Sequence, residues 1–287
     1  MQFQSLALGV KAASQPDSRL TARIQFWIDY FQDKEALDIT TDDVDLAIET
    51  LAQRGKLKQI PGGTFIKTGE PLSAATLNRH VSALGHIFKV AKRLRIIPKS
   101  HQSPTVGAEK APEGPGRVIN LSREQINRII DASRLMRWRK FTAMVYVAMT
   151  SGARLGNLQR MTWRDVDLER GSIYFPTSKN GKPYSAAISA QALLELKKIK
   201  RDIDTPDSLV FGTRTFRKSW ENTLAIADVP YFAFHGCRHV CASMLAASGM
   251  QLAGLMAQLN HSSPRMAMRY SHLNVDHLRE GVARAWG

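Results

Sequence analysis

Cysteine is nearly absent from this chain: Cys237 and Cys241 are the only two in 287 residues. That excludes a disulfide framework and fits a reducing compartment. Long apolar runs are also missing, and nothing approaches the roughly 20 residues that a membrane-spanning helix needs. The short stretch from Leu6 to Val10 cannot serve as a signal-peptide core, and Lys11 follows it rather than a basic segment preceding it. These absences lead to the expectation of a cytoplasmic protein with no membrane partner. Acidic residues are scarce beside basic ones, 25 against 40, for a formal net charge of +15 and a pI near 10.1. Such an excess calls for a polyanionic partner, without choosing by itself between DNA, RNA and an anionic membrane. With 44% hydrophobic residues over this length, the chain can bury one large core or two ordinary ones, so disorder as a whole is excluded.

The first half carries helix signals. Asp17 and Ser18 can cap a helix whose Ile24, Trp27, Ile28 and Phe31 form one apolar face. Thr40 or Thr41, with Asp42 and Asp43 in the first turn, opens a second helix that Gly55 ends. Lys56 to Leu72, rich in glycine and proline, reads as a loop. Ser73 caps a third helix with Leu77, Val81, Leu84, Ile87, Phe88 and Ala91 inward; Arg79, His80, Lys89, Lys92, Arg93 and Arg95 fall on its polar face and end. From Pro98 to Gly116 small residues, glycine and proline replace any periodic pattern, which marks an interdomain linker. Helical signal resumes at Ser122, where Gln125 completes a capping box, and a strongly apolar helix spans Phe141 to Met149. Two β-prone stretches, Ser172 to Phe175 and Tyr184 to Ile188, flank Asn180-Gly181, a hairpin signal. The domain expectation is a helical module over residues 1–100, a linker over 101–117, and a mainly helical second domain with a small sheet over 118–287.

What stands out in the second domain is an ordered series of cationic and hydrogen-bonding residues that ends on a tyrosine: Arg154, Lys179, His235, Arg238, His261 and Tyr270. Two guanidinium forks suit phosphate oxygens. A tyrosine hydroxyl, with an ordinary pKa of about 10, attacks phosphorus only where cations and a proton acceptor favour its ionised form. No carboxylate cage for magnesium accompanies the set, so protein cations must stabilise charge building on phosphorus. The crowding of His235, Cys237, His239 and Cys241 invites a zinc reading, but on a helix His235 and His239 share a face from which Cys237 points away. No metal and no cofactor are therefore expected, and His239 is expected to support the site from behind.

These pieces resemble the tyrosine recombinases, the phage integrases and their relatives. The resemblance rests on Ser151-Gly152-Ala153-Arg154 followed by Trp163-Arg164-Asp165-Val166-Asp167, and on the lysine in Thr177-Ser178-Lys179-Asn180-Gly181-Lys182. It rests further on His235-Gly236-Cys237-Arg238-His239, on Leu259-Asn260-His261-Ser262-Ser263, and on Arg269-Tyr270 nine residues after His261. The resemblance implies a two-domain, C-shaped clamp on double-stranded DNA, a helical core-binding domain plus a catalytic domain that is mainly α with a small antiparallel sheet. It implies site-specific recombination through a covalent 3′-phosphotyrosine, integrating or excising a mobile element as a homotetramer on two DNA sites, with accessory DNA-bending or directionality proteins as possible partners. Carried over, Arg154 and Arg238 clamp the phosphate, Tyr270 is the nucleophile, and Lys179 protonates the leaving 5′-oxygen, with Lys182 the other candidate. His235 exchanges a proton, and His261 hydrogen-bonds a non-bridging oxygen. A type IB topoisomerase-like relaxing enzyme and an inactive DNA-binding protein are the alternatives. Asn157 stands where the family commonly has an acid, Cys237 where it has leucine, and Asn260 where it has glycine; Asn260 tolerates the positive φ that position implies. The stretch before Arg19 is expected to be too short for a separate arm-binding domain. Leu278, Val282, Ala285 and Trp286, at helical spacing, are a candidate docking segment for a neighbouring protomer.

Overall fold

The computed structural model describes residues 1–114, 119–178, 181–270, 282–283 and 285–286. The chain divides into two compact units, Met1–Gly116 and Arg117–Gly287.

In the first unit four helices enclose one core: α1 (Phe3–Ser14), α2 (Ser18–Phe31), α3 (Thr41–Arg54) and α4 (Ala74–Arg93). The caps lie where local chemistry puts them. Asp17 accepts from the Leu20 N–H at 2.7 Å, Thr40 and Asp43 complete a reciprocal capping box, and Ser73 accepts from the Thr76 N–H at 3.3 Å. Helix α1 adds an element beyond those expected, and its Phe3, Leu6, Ala7 and Val10 all face the core. The expected loop from Lys56 to Leu72 instead contains an antiparallel pair, β1 (Leu57–Gln59) and β2 (Phe65–Lys67). All six strand residues are exposed, so no buried face imposed the alternation by which strands are recognised. His80, expected on the polar face of α4, is buried instead: its ring meets Phe26 edge-on at 5.0 Å, and its backbone carbonyl accepts from the Trp27 indole at 2.8 Å. Residues 101–114 take an irregular path tied to α3 and α4. Thr41 donates to Val106, the Glu109 N–H donates to Asp45, and the Asn78 amide exchanges hydrogen bonds with Ala111.

The second unit is built around α6 (Phe141–Ser151), apolar almost all round and buried by α5 (Arg123–Arg134), α8 (Ala190–Ile199) and α10 (Cys237–Ala247). Between α6 and α8 run α7 (Leu155–Arg160) and a three-stranded antiparallel sheet of β3 (Val166–Asp167), β4 (Ser172–Phe175) and β5 (Tyr184–Ala187), in that order. The β4–β5 hairpin follows the expected strands, with Phe175 opposite Tyr184; the extra strand β3 completes the sheet. Helix α9 (Arg217–Ile226) packs on α5, and α11 (Leu252–Leu259) and α12 (Pro264–Met268) follow α10, Pro264 opening α12. A large core surrounds α6, while a smaller cluster of Cys241, Ala242, Ala246, Leu255, Leu259, Ala267 and Tyr270 lies beside it. Among the described residues no helix is long and apolar enough to cross a membrane.

Candidate active site

Three chain reversals bring Arg154, His235, Arg238 and His261 together. Helix α6 ends at Gly152, whose φ of +63° turns the chain so that Arg154 becomes the extended N-cap of α7. A Cβ at Gly152 would lie 2.3 Å from Leu259 Cδ2 and 3.1 Å from Cys241 Sγ, so glycine is required by both conformation and space. The second reversal is a short 3₁₀ turn, Phe234–Gly236, that starts α10 and presents His235 and Arg238. Phe234 anchors it by packing against Trp220 at 5.1 Å and Phe216 at 4.8 Å. The third is Asn260, in the left-handed region at φ +48° as its glycine-like position implied. The N–H groups of Asn260 and His261 close back on Ala257 and Met256 at 3.2 and 3.0 Å, a Schellman termination of α11 that aims His261 inward.

Arg238 is the most constrained member. It is 6% exposed, its Nη1 donates to the Gly152 carbonyl at 2.7 Å, and its Nη2 donates to the Leu259 carbonyl. Those two carbonyls come from the ends of α6 and α11, so one guanidinium ties together the turns that carry Arg154 and His261. Among the described residues the buried Nη1 of Arg154 has no hydrogen-bond partner, and neither has the buried Nδ1 of His261. Unpartnered buried donors are costly, of order 1–3 kcal/mol each. Charge sharpens the imbalance. Burial, and then Arg154, pull Arg238 down to about 10. Burial, followed by Arg238 and Arg154, holds His261 at about 4 and His235 below the usual histidine range, although much of the His235 surface stays open. Among the described residues no carboxylate contributes to any of these shifts, and the described part of the site is a cluster of cations.

Tyr270 is 3% exposed, and its hydroxyl lies 2.5 Å from His239 Nδ1. Burial raises the tyrosine pKa, while Arg269 and Arg238 oppose that rise. Burial, His235, Arg269 and Arg238 keep His239 below its ordinary value and hence neutral at physiological pH, with a ring nitrogen free to accept. The direct contact of His239 with Tyr270 is a pairing that sequence reasoning did not single out; the shared helix face of His235 and His239 was its only signal. Their rings lie 6.2 Å apart. Asn157, buried at the position of the family's acid, donates to the Tyr184 hydroxyl at 3.3 Å and accepts from Arg160 at 3.2 Å. An amide thus orients its neighbours there without adding negative charge. Lys179 lies outside the described residues. Lys182 is exposed, and its carbonyl accepts from Ser178 at 2.7 Å across the hairpin connection. Of the proposed docking segment, Leu278 lies outside the described residues, whereas Val282 and Trp286 are 61% and 88% exposed. Among the described residues no group of three or more His, Cys, Asp or Glu side chains is placed to hold a metal. Cys237 and Cys241 are buried free thiols whose pKa values burial raises, that of Cys241 to about 12.

The sequence profile of the phage integrase family matches residues 120–277, more than half of the chain and all six of these site positions. The chain belongs to the phage integrase family. It is 25% identical to the integrase of Salmonella phage P22 over 90% of this chain and 72% of that one. It is 28% identical to the tyrosine recombinase XerC of Xanthomonas axonopodis pv. citri, over 72% of this chain and 70% of the relative. In fold it matches the integrase of transposon Tn1549, solved with transposon right-end DNA, at a TM-score of 0.72 and 14% identity over the full length of both chains. It also matches lambda integrase residues 75–356, solved as a dimer on a core site, at a TM-score of 0.68 and 18% identity over 94% and 95% of the two chains. The mainly helical architecture with a small antiparallel sheet is that of the family, whose members are site-specific recombinases that break and rejoin DNA.

Proposed function

We propose that this recombinase cleaves double-stranded DNA by attack of the Tyr270 hydroxyl on a scissile phosphate that Arg154 and Arg238 hold. The observation that carries this reading is the buried Arg154 Nη1, without a partner among the described residues, beside Arg238 and His261, in a cluster to which no described carboxylate contributes. A phosphodiester supplies the missing acceptors and the missing charge together. His239, neutral and already in contact with the phenol, receives its proton; His261 donates to a non-bridging oxygen; His235 serves as a further proton carrier. Lys179 protonates the departing 5′-oxygen. The tyrosine oxygen–phosphorus bond forms as the phosphorus–5′-oxygen bond breaks, leaving a 3′-phosphotyrosine and a free 5′-hydroxyl. Reversal by a 5′-hydroxyl from another strand rejoins DNA without ATP, because the covalent link conserves the phosphodiester. In this reading the helical first unit is a DNA-binding module, and four protomers on two sites integrate or excise a mobile element.

The test is to trap protein on supercoiled plasmid carrying the DNA that flanks its own gene, using wild type and Tyr270→Phe. A covalent adduct and recombinant product with wild type alone are expected. Relaxation without recombinant product would turn the reading toward a topoisomerase, and an adduct that persists in Tyr270→Phe would place the nucleophile elsewhere.

A further inference from the structure

The first unit carries a ribbon that its own core leaves uncovered. Strands β1 and β2 pair with Leu57 opposite Lys67, Lys58 opposite Ile66 and Gln59 opposite Phe65. The base is firmly held: the Lys56 N–H donates to the Glu70 carbonyl at 2.8 Å, the Thr68 N–H donates to the Lys56 carbonyl at 3.0 Å, and the Lys56 ammonium pairs with the Glu70 carboxylate at 2.7 Å. Gly55, at the end of α3, lies so near Glu70 that a Cβ there would be 2.7 Å from its carbonyl oxygen. Beyond this base every residue from Pro61 to Pro71 is exposed, and Leu57, Phe65 and Ile66 are 40%, 58% and 45% exposed. An isolated two-stranded ribbon is marginal in water, and uncovered strand edges with large apolar side chains invite a partner.

Charge selects that partner. Lys58 and Lys67 have no acidic partner among the described residues, and the single carboxylate at the ribbon, Glu70, is occupied by Lys56. Opposed residues share a face and successive residues alternate, so Lys58 and Lys67 lie on opposite faces. With the Lys67 face turned toward the base edges, Lys58 lies on the outer face, at the rim of the groove, where its long side chain reaches a flanking phosphate. Gln59 and Phe65 sit side by side on the face that also carries Lys67. An amide reads adenine and an apolar ring packs on a thymine methyl, and a two-stranded ribbon has the dimensions of the major groove. A second copy of the same ribbon is disfavoured as occupant, because it would bring like charges together along the shared edge.

We propose that the β1–β2 ribbon enters the major groove of the DNA substrate, with Lys58 and Lys67 on phosphates and Gln59 and Phe65 on base edges. The proposal rests on the reading of this protein as a DNA recombinase. The experiment compares full-length wild type with Lys58→Ala/Lys67→Ala and Gln59→Ala/Phe65→Ala by mobility shift across a salt series and by hydroxyl-radical footprinting, on a duplex from the DNA that flanks the gene. Each lost phosphate contact lowers the slope of log affinity against log salt by about 0.9, so the double lysine variant should flatten it by about 2. The Gln59→Ala/Phe65→Ala variant should keep the slope but lose discrimination between this duplex and a scrambled one. Both should lose one protected patch from the footprint and stay near the wild-type unfolding temperature, since all six strand residues are exposed. An unchanged slope and footprint, with wild type bound, would overturn the ribbon assignment and leave the recombinase reading standing. Loss of self-association in place of footprint would assign the ribbon to a second copy and overturn the proposal. Wild type that binds no duplex would remove both readings.

Discussion

Gly152→Ala tests the link between backbone geometry and catalysis most directly. At φ +63° an alanine costs about 1–2 kcal/mol in backbone conformation. Its methyl would sit 2.3 Å from Leu259 Cδ2, where carbon atoms normally stay about 3.5–4.0 Å apart, so the buried Leu259 side chain must rotate or α11 must shift. Overpacking of that kind adds about 1–3 kcal/mol. The expected destabilisation is therefore about 2–5 kcal/mol. The crowding falls between the two residues whose carbonyls hold Arg238, Gly152 and Leu259, and a misplacement of that guanidinium near 1 Å is enough to slow chemistry about a hundredfold. Gly212 is the control: it lies in the same unit at φ +75° with nothing within 4 Å of an added Cβ, so Gly212→Ala carries the backbone cost alone. Urea unfolding gives the stabilities, and adduct formation on a substrate that traps the covalent intermediate gives the chemistry. A Gly152→Ala protein within about 0.5 kcal/mol of Gly212→Ala, forming adduct at the wild-type rate, would refute the close-packing argument.

The other predictions concern protons and guanidinium geometry. His239→Phe keeps the ring but leaves the Tyr270 hydroxyl without its 2.5 Å partner; adduct formation should fall by about 10²-fold or more while DNA binding persists, and an unchanged single-turnover rate would exclude His239 from proton transfer. Arg154→Lys keeps charge but loses the fork, so cleavage should drop by at least about tenfold with little change in affinity; near-wild-type cleavage would reject bidentate clamping. Burial, then Arg23 and Arg54, hold His80 at about 4 in the folded protein against an ordinary 6.5. Its folded pKa is thus depressed, and the unfolded chain binds more protons between those values. Stability is full above pH 6.5 and falls as pH drops toward 4, by roughly 1–2 kcal/mol after discounting for residual solvent. His80→Leu should flatten that part of the acid profile in urea titrations at pH 7 and pH 4.5, and an unchanged profile would contradict the assignment.

What could be read without coordinates is what is encoded within a few residues. Asp17, Thr40, Ser73 and Ser122 cap helices because a side-chain oxygen reaches an N–H two or three residues on, and α6 is buried because nearly all its faces are apolar. Arg154, Arg238, His261 and Tyr270 were singled out because phosphate chemistry calls for those residue types, and the left-handed backbone at Asn260 was legible because few residues tolerate a positive φ. The tertiary structure decided the contacts between residues far apart in sequence. Arg238 is held by a carbonyl 86 residues away, and Tyr270 meets His239 across 31. No local pattern specifies which imidazole the Tyr270 hydroxyl touches, because that depends on how α10 and the chain after α12 pack around Cys241 and Leu259. His80 is the converse case: its position among lysines and arginines read as polar, and burial against Phe26 and Trp27 makes it part of the core. The β1–β2 ribbon escaped periodicity because exposure on both faces removes the constraint that writes an alternating pattern into a strand.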